Sequence, residues 1–257
     1  MLFAWNLAPW PLIMRFIIPE LPYERPLLAG RLRYERHGQP TGAVESWRLT
    51  DAVDGYRFLR VDLDAREAAS GRSWLFHATL DPAGLPEQVK YRFWGDGLEV
   101  SGAVVRQGDE WVAARQVNGA AYIGHEDVGH EDVGHEGVGH EDDGREDTAR
   151  GAAFWFPSGA GLALLAARDG ETTGVTLAPP DPSPSKALAL IETPVEVIWG
   201  DVATVEMGGE ILDVRPLSVA WPGNRRVVWL DSAARPLRLW RDDGLTAEAE
   251  RLVRYSR

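Results

Sequence analysis

The chain has no cysteine, which removes thiol nucleophiles, disulfides and thiolate metal sites, and outside one repetitive stretch it has only two histidines, His37 and His77. His37 precedes a glycine in a turn-like pair, and His77 alternates with apolar neighbours; both settings suit a hydrogen-bonded structural histidine better than a general base. Asp62 and Asp64, Asp242 and Asp243, and Glu248 and Glu250 are paired acids, but each pair flanks a turn or stands at strand spacing where water-facing residues belong. Phe156 to Gly161 (FPSGAG) comes nearest to a nucleophile elbow, yet it lacks the first glycine of G-x-S-x-G, and no helix is expected after it. Gly159-Ala160-Gly161 fails as a phosphate cradle for the same reason. No catalytic residue is assigned, and the chain is expected not to be an enzyme.

The other four histidines lie in a five-residue tandem repeat, Gly124 to Thr148, with units of the form GHEDV. His125, His130, His135 and His140 are each followed by Glu and three of them by Asp, a donor set able to chelate Zn, Ni or Cu. A glycine in every unit makes convergence on one ion costly in entropy, so only weak adventitious binding is expected, with no metal site and no cofactor. A period of five matches neither strand nor helix. Residues 124–150 are therefore expected to be a disordered loop inserted in the domain. The formal charge of -12 resides mostly there, because residues 124–148 carry ten acids against the single base Arg145. The remaining body is nearly neutral and has no electrostatic footprint for nucleic acid.

The first 26 residues read as an apolar extension. Within MLFAWNLAPWPLIMRFIIPEL the only base, Arg15, sits inside the apolar stretch, and Pro9, Pro11 and Pro19 interrupt it. No transmembrane segment is expected, because the uninterrupted runs fall far short of the ~20 residues of a spanning helix. The segment reads as an apolar strap or as an extension upstream of a start at Met14. A cytoplasmic location follows, the alternative being export through a degenerate signal.

From Leu27 onward, apolar residues recur with period two, which puts one strand face in a core and the other in water. The pattern predicts strands over 29–36, 43–50, 55–63, 73–80, 88–94, 97–106, 110–117, 152–156, 161–167, 172–178, 187–191, 195–199, 202–207, 210–221, 225–231, 236–241 and 245–254. Turn pairs such as Asp96-Gly97 and Asp243-Gly244 separate them. Asp64 to Ser70 has the composition for a turn or two of helix and nothing else does. The prediction is an all-β fold: residues 27–257 as one domain, a large curved antiparallel sheet, half-barrel or barrel-like meander, with little helix. Leu80 to Pro86 and Leu230 to Pro236 share the pattern LDxAxxP, each followed by a strand and then DGL, as either duplication or reuse of good hairpin chemistry would produce.

Eleven tryptophans fall mostly within these strands. They fill a core, or they line a concave face that holds an apolar ligand or stacks a sugar. The stretches Gly30 to Leu63, Leu80 to Phe93 with its GLP turn and YRF strand, and Val227 to Leu239 (VVWLDSAARPLRL) resemble the LolA-like superfamily of periplasmic lipoprotein carriers, nearest to an uncharacterised half-barrel family within it. The resemblance implies a curved sheet around an apolar cavity that holds acyl chains, and no catalytic residues.

The leading expectation is non-enzymatic binding of a hydrophobic small molecule or lipid, and the alternative is a structural or protein-interaction module with a filled aromatic core. Trp74, Phe76, Tyr91, Phe93, Trp229 and Leu239 are the expected ligand-binding residues, each at every second position of a predicted strand, with Lys90, Arg92 and Arg238 on the opposite face.

Overall fold

The computed structural model describes residues 20–122, 147–207 and 210–255. The apolar stretch before residue 20 and the four repeat histidines lie outside the described residues, and so do the expectations of a strap, an export signal and weak metal binding made for them. In chain order the strands are β1 (Arg25–Arg36), β2 (Gln39–Asp51), β3 (Arg57–Asp64), β4 (Ser73–Leu80), β5 (Pro86–Gly95), β6 (Leu98–Gln107), β7 (Glu110–Val117), β8 (Ala120–Tyr122), β9 (Asp147–Arg150) and β10 (Ala153–Phe154). A five-residue helix, α1 (Gly159–Ala163), leads to β11 (Gly170–Leu177), β12 (Leu190–Trp199), β13 (Ala203–Met207), β14 (Glu210–Trp221), β15 (Asn224–Asp231), β16 (Pro236–Arg241) and β17 (Leu245–Arg254). All belong to one curved, mostly antiparallel sheet that does not close, as the alternation of apolar residues predicts.

Hydrogen-bonded ladders run from β7 through β6, β5, β4, β3 and β2 to β1, then on through β17, β16, β15 and β14 to β12 and β11. β8 and β9 share the outer edge of β7, and β12 and β13 share one edge of β14. The chain then draws the two ends of the sheet together. β9 pairs with β7, and three residues after its end β10 begins and lies parallel to β11. Between them the Trp111 indole N–H donates to the Gly151 carbonyl at 3.0 Å and the Ala152 N–H donates to the Thr173 carbonyl at 2.9 Å.

The LDxAxxP segments form the same turn. Asp81 Oδ1 accepts the Leu85 N–H at 2.8 Å and Asp231 Oδ1 accepts the Arg235 N–H at 2.9 Å. The position four into each turn has positive φ, +84° at Gly84 and +57° at Ala234. β4–β5–β6 and β15–β16–β17 are thus equivalent meanders, and β1 lies against β17 as β7 lies against β6.

Ala153 to Phe156 are buried at four successive positions, which a strand with one wet face cannot be. This segment and α1 occupy the inside of the curve. Phe156 stacks on Phe76 at 3.9 Å, and Phe154 packs on Trp111 at 5.3 Å. Glu45 of β2, with no exposed surface, fastens the segment by accepting the Gly159 N–H at 2.9 Å, the Ala160 N–H at 2.8 Å and the Tyr34 hydroxyl at 2.5 Å. Gly161 leaves no room for a side chain, because a Cβ there would stand 2.2 Å from the Phe156 carbonyl oxygen; a Cβ on Gly159 would stand 2.6 Å from Leu32 Cδ1 and displace that buried methyl. Arg115, buried in β7, holds the next loop by donating to the Ala187 and Ser185 carbonyls and pairing with Asp147 at 2.7 Å.

Four local expectations are corrected. Residues 161–167, predicted as a strand, form the end of α1 and the turns after it, because Ser158 caps a helix by accepting the Gly161 N–H at 3.0 Å. Asp64 to Ser70 makes two turns and no helix. Residues 147–150, predicted as the tail of the repeat loop, are β9. The strands predicted over 187–191 and 195–199 are one, β12, which tolerates Pro194 because its ladder to β14 begins only at Glu196.

Candidate functional site

The inner side chains form two packed groups. The larger lies under β2–β7 and includes Trp47, Phe76, Tyr91, Phe93 and Trp111; the other lies under β14–β17 and includes Leu217, Val228, Leu230 and Leu239. Between their open ends is a cleft of about 740 Å³, reached past the turns that join β3 to β4 and β14 to β15.

Four aromatic residues line it: Tyr34, Trp74, Trp155 and Trp221. Trp155 and Trp221 meet at 4.5 Å in an edge contact, Trp74 is held by Phe93 at 4.6 Å and Phe76 at 5.4 Å, and Tyr34 is fixed by its bond to Glu45. Leu63, Leu177, Ile191, Leu239 and Leu245 complete the apolar wall. Each aromatic is therefore held by a ring contact or a hydrogen bond, which favours a preformed cleft.

Its charged lining is all basic among the described residues: Arg36, Arg72, Arg226 and Arg241. Arg36 and Arg241 share Asp243 Oδ2, at 3.2 and 2.8 Å, and Arg72 pairs with Asp96 at 2.6 Å. Arg226 donates to the Pro157 carbonyl and lies 5.2 Å from the centre of the Trp221 ring. Burial pulls the Arg226 guanidinium down to about 10, and the positive charge of Arg241 pushes the same way. Burial likewise raises the Tyr34 hydroxyl well above its ordinary value, and the adjacent Glu45 carboxylate raises it further.

Of the six residues expected to bind a ligand, the structure brings Trp74 and Leu239 to the cleft. Phe76, Tyr91 and Phe93 share the inner face as predicted, but they are 3%, 2% and 0% exposed and fill the β2–β7 core instead of lining the cleft. Trp229 faces the opposite way: it pairs with Arg238 and alternates with buried Val228 and Leu230, so it stands on the outer face. Lys90, Arg92 and Arg238 are exposed as expected. Tyr34, Trp155, Trp221 and the four arginines were not singled out from the sequence, although Tyr34 and Trp221 sit on strands and carried a readable alternation.

The residues first considered for chemistry are used structurally. A helix does follow Ser158, against expectation, but it is five residues long, and the Ser158 hydroxyl is 1% exposed and occupied as its cap. His37 adopts a positive φ of +50° in the β1–β2 turn. His77 lies on the outer face at 5.2 Å from Phe58, where burial and nearby Arg60 lower it to about 4. Asp64 pairs with Arg66, Glu248 with Arg238, and Glu250 with Arg31 and Arg33. Burial, with the charge of Asp64 beside it, raises Asp62 to about 6.

A second, more open groove of about 810 Å³ runs over the outer face of β4–β7, between Leu21, Leu75, His77, Ala103 and Ala114. Beside it Glu24 bonds Arg60 at 2.6 and 2.7 Å and Thr50 at 2.6 Å. Burial pushes the Glu24 carboxyl up, but those bonds and the Leu21 N–H together hold it below its ordinary value. Small side chains floor this groove, and it lacks the braced aromatic walls of the cleft. Among the described residues no group of histidine and acidic side chains is placed to hold a metal, and no helix is long and apolar enough to cross a membrane.

No protein-family model and no curated protein matches the chain. Among solved structures, PNGF-II in a C2 crystal form aligns with 91% of this chain and 28% of its own, at 8% identity and a TM-score of 0.28. This chain spans less than a third of that protein's length, and a likeness of this extent says nothing of function.

Proposed function

We propose that the protein is a non-enzymatic binder of a hydrophobic, lipid-like ligand, held in the cleft between the two halves of its curved sheet. The observation that carries this reading is a cleft of about 740 Å³ walled by Tyr34, Trp74, Trp155 and Trp221 and by leucine and isoleucine side chains. Small-molecule sites are mostly apolar, largely preformed and roughly 300–1,000 Å³ in volume. Burial of a hydrocarbon chain contributes about 0.8 kcal/mol per methylene, enough for useful affinity without a covalent step. The LolA-like resemblance agrees with a curved sheet that carries acyl chains. The packing of Phe76, Tyr91 and Phe93 favours the other reading, a structural or interaction module with a filled core, for the β2–β7 half alone.

The test is uptake of the neutral fluorescent probe N-phenyl-1-naphthylamine by the full chain, together with native mass spectrometry and organic extraction of the purified protein. Saturable uptake at one probe per chain, lost when the cleft is filled by Ala43→Trp in a variant that still melts cooperatively, is the expected result. No uptake, no extracted hydrocarbon and no mass of a bound species would leave the filled-core reading standing.

A further inference from the structure

The cleft is apolar in its walls but not at its charged positions. Arg36, Arg72, Arg226 and Arg241 reach its lining, and no acidic side chain does so among the described residues. The nearest acids compensate only in part. A single oxygen, Asp243 Oδ2, serves both Arg36 and Arg241, and each guanidinium has more donors than that one contact uses. Arg226 has a carbonyl oxygen and a ring face as its direct partners; the carboxylates of Asp243 and Glu45 act on it without pairing with it, the first engaged by Arg36 and Arg241 and the second by Gly159, Ala160 and Tyr34. Asp243 is one carboxylate among three guanidiniums, Arg226 and Arg241 oppose one another, and a further anion would relieve the positive charge that this carboxylate leaves. An uncharged hydrocarbon would gain nothing from such a set.

From this arrangement we infer that the ligand is an anionic amphiphile: a hydrocarbon chain against the aromatic and aliphatic wall, with a terminal carboxylate or phosphate monoester held by Arg36, Arg226 and Arg241. The inference rests on the binding function proposed above and names its ligand class. Guanidinium groups suit either head, because planar N–H forks match the oxygens of both.

The experiment displaces N-phenyl-1-naphthylamine from the full chain with palmitate, hexadecyl phosphate and 1-hexadecanol, each below its aggregation threshold. It is run on the wild type and on the triple variant R36Q/R241Q/D243N, which removes the two guanidiniums together with the carboxylate between them and so leaves no orphaned charge. In the wild type, one or both anions bind about tenfold tighter than the alcohol, and added salt weakens the anions alone. The triple variant loses about that factor for the anions and nothing for the alcohol, with its melting temperature checked in parallel. Which anion is preferred tells a carboxylate from a phosphate head. Equal affinity for all three ligands, insensitive to salt, would overturn the anionic inference and leave the apolar binding function intact; that wild-type result decides the matter even if the triple variant folds poorly. Failure of the probe and all three ligands to bind would overturn both.

Discussion

Glu45→Gln is the sharpest perturbation of the inner segment on which the cleft wall depends. Three donors converge on this carboxylate: Gly159 N–H and Tyr34 O–H on Oε2, and Ala160 N–H on Oε1. Glutamine has nearly the same shape and can keep its oxygen at the first site, but its NH2 group then faces the Ala160 N–H. One buried backbone donor is orphaned, at about 1–3 kcal/mol, and the two surviving bonds lose the strength an ionised acceptor gives them, for a total of about 3 kcal/mol. In a chain of this size that corresponds to a fall in melting temperature of roughly 6–12 °C. Glu45→Ala orphans all three donors and should cost about 3–5 kcal/mol. The assay is urea and thermal unfolding at neutral pH, with Tyr34→Phe and the double variant completing a cycle. The coupling expected between Glu45 and Tyr34 is about 1–2 kcal/mol, since one charge-assisted hydrogen bond joins them. A Glu45→Gln variant melting within about 2 °C of the wild type would refute the reasoning, because it would mean that these bonds carry less than about 1 kcal/mol in total.

Four further outcomes are expected. Phe93→Ala, at a position with no exposed surface against Trp74, should destabilise by about 3–5 kcal/mol, whereas Trp229→Ala on the outer face should cost under about 1.5 kcal/mol; comparable losses in denaturant melts would contradict the assigned facing. Asp62 at about 6 keeps in the folded chain a proton that the unfolded chain releases near 4, so it withdraws stability as pH rises from about 4 through 6. Asp62→Asn should therefore be more stable than the wild type at pH 7.5, by roughly 1–2 kcal/mol, and equal to it near pH 4, as melting curves at the two pH values will tell. His77 at about 4 has the opposite sign, adding stability as pH rises from about 4 to 6.5, so its replacement by asparagine should leave the Asp62 decline uncovered in the same melts. Ala234→Gly, which gives the second LDxAxxP turn the glycine the first already has, should stabilise by about 0.5–1 kcal/mol, because Ala234 sits at a φ of +57°; a loss measured by denaturant titration would count against the equivalence of the turns.

The sheet was legible wherever one face is dry and the other wet. β5 alternates over Val89 to Phe93, and Trp74 meets Phe93 and Phe76 meets Tyr91 across the β4–β5 ladder, on the one face the sequence predicts for them. Trp229 was misread although the repeat held the answer: aligning the LDxAxxP turns places Trp229 with Thr79 on the outer face and Leu239 with buried Val89. A one-residue error in phase reverses a strand's facing, and the bulky aromatic outweighed the register. The inner segment was illegible for a different reason. All of residues 153–165 except Pro157 and Ala163 are buried, and a short apolar run of that kind has no period to tell strand from helix. Nor does the sequence show what fastens it, because Glu45 and Gly159 are 114 positions apart, and the arginines of the cleft come from four separate hairpins. Such convergence is a property of the curved sheet and leaves no local pattern.

The most direct measurement of the central claim is the site of attachment of a hydrocarbon chain carrying a photoactivated diazirine, mapped by peptide mass spectrometry on the full chain. If the cleft holds the ligand, labels fall on the peptides that contain Trp155, Leu177, Ile191, Trp221 and Leu239, and excess palmitate suppresses them. Labels confined to the outer groove around Leu75 and Ala114, or label scattered without competition, would contradict it.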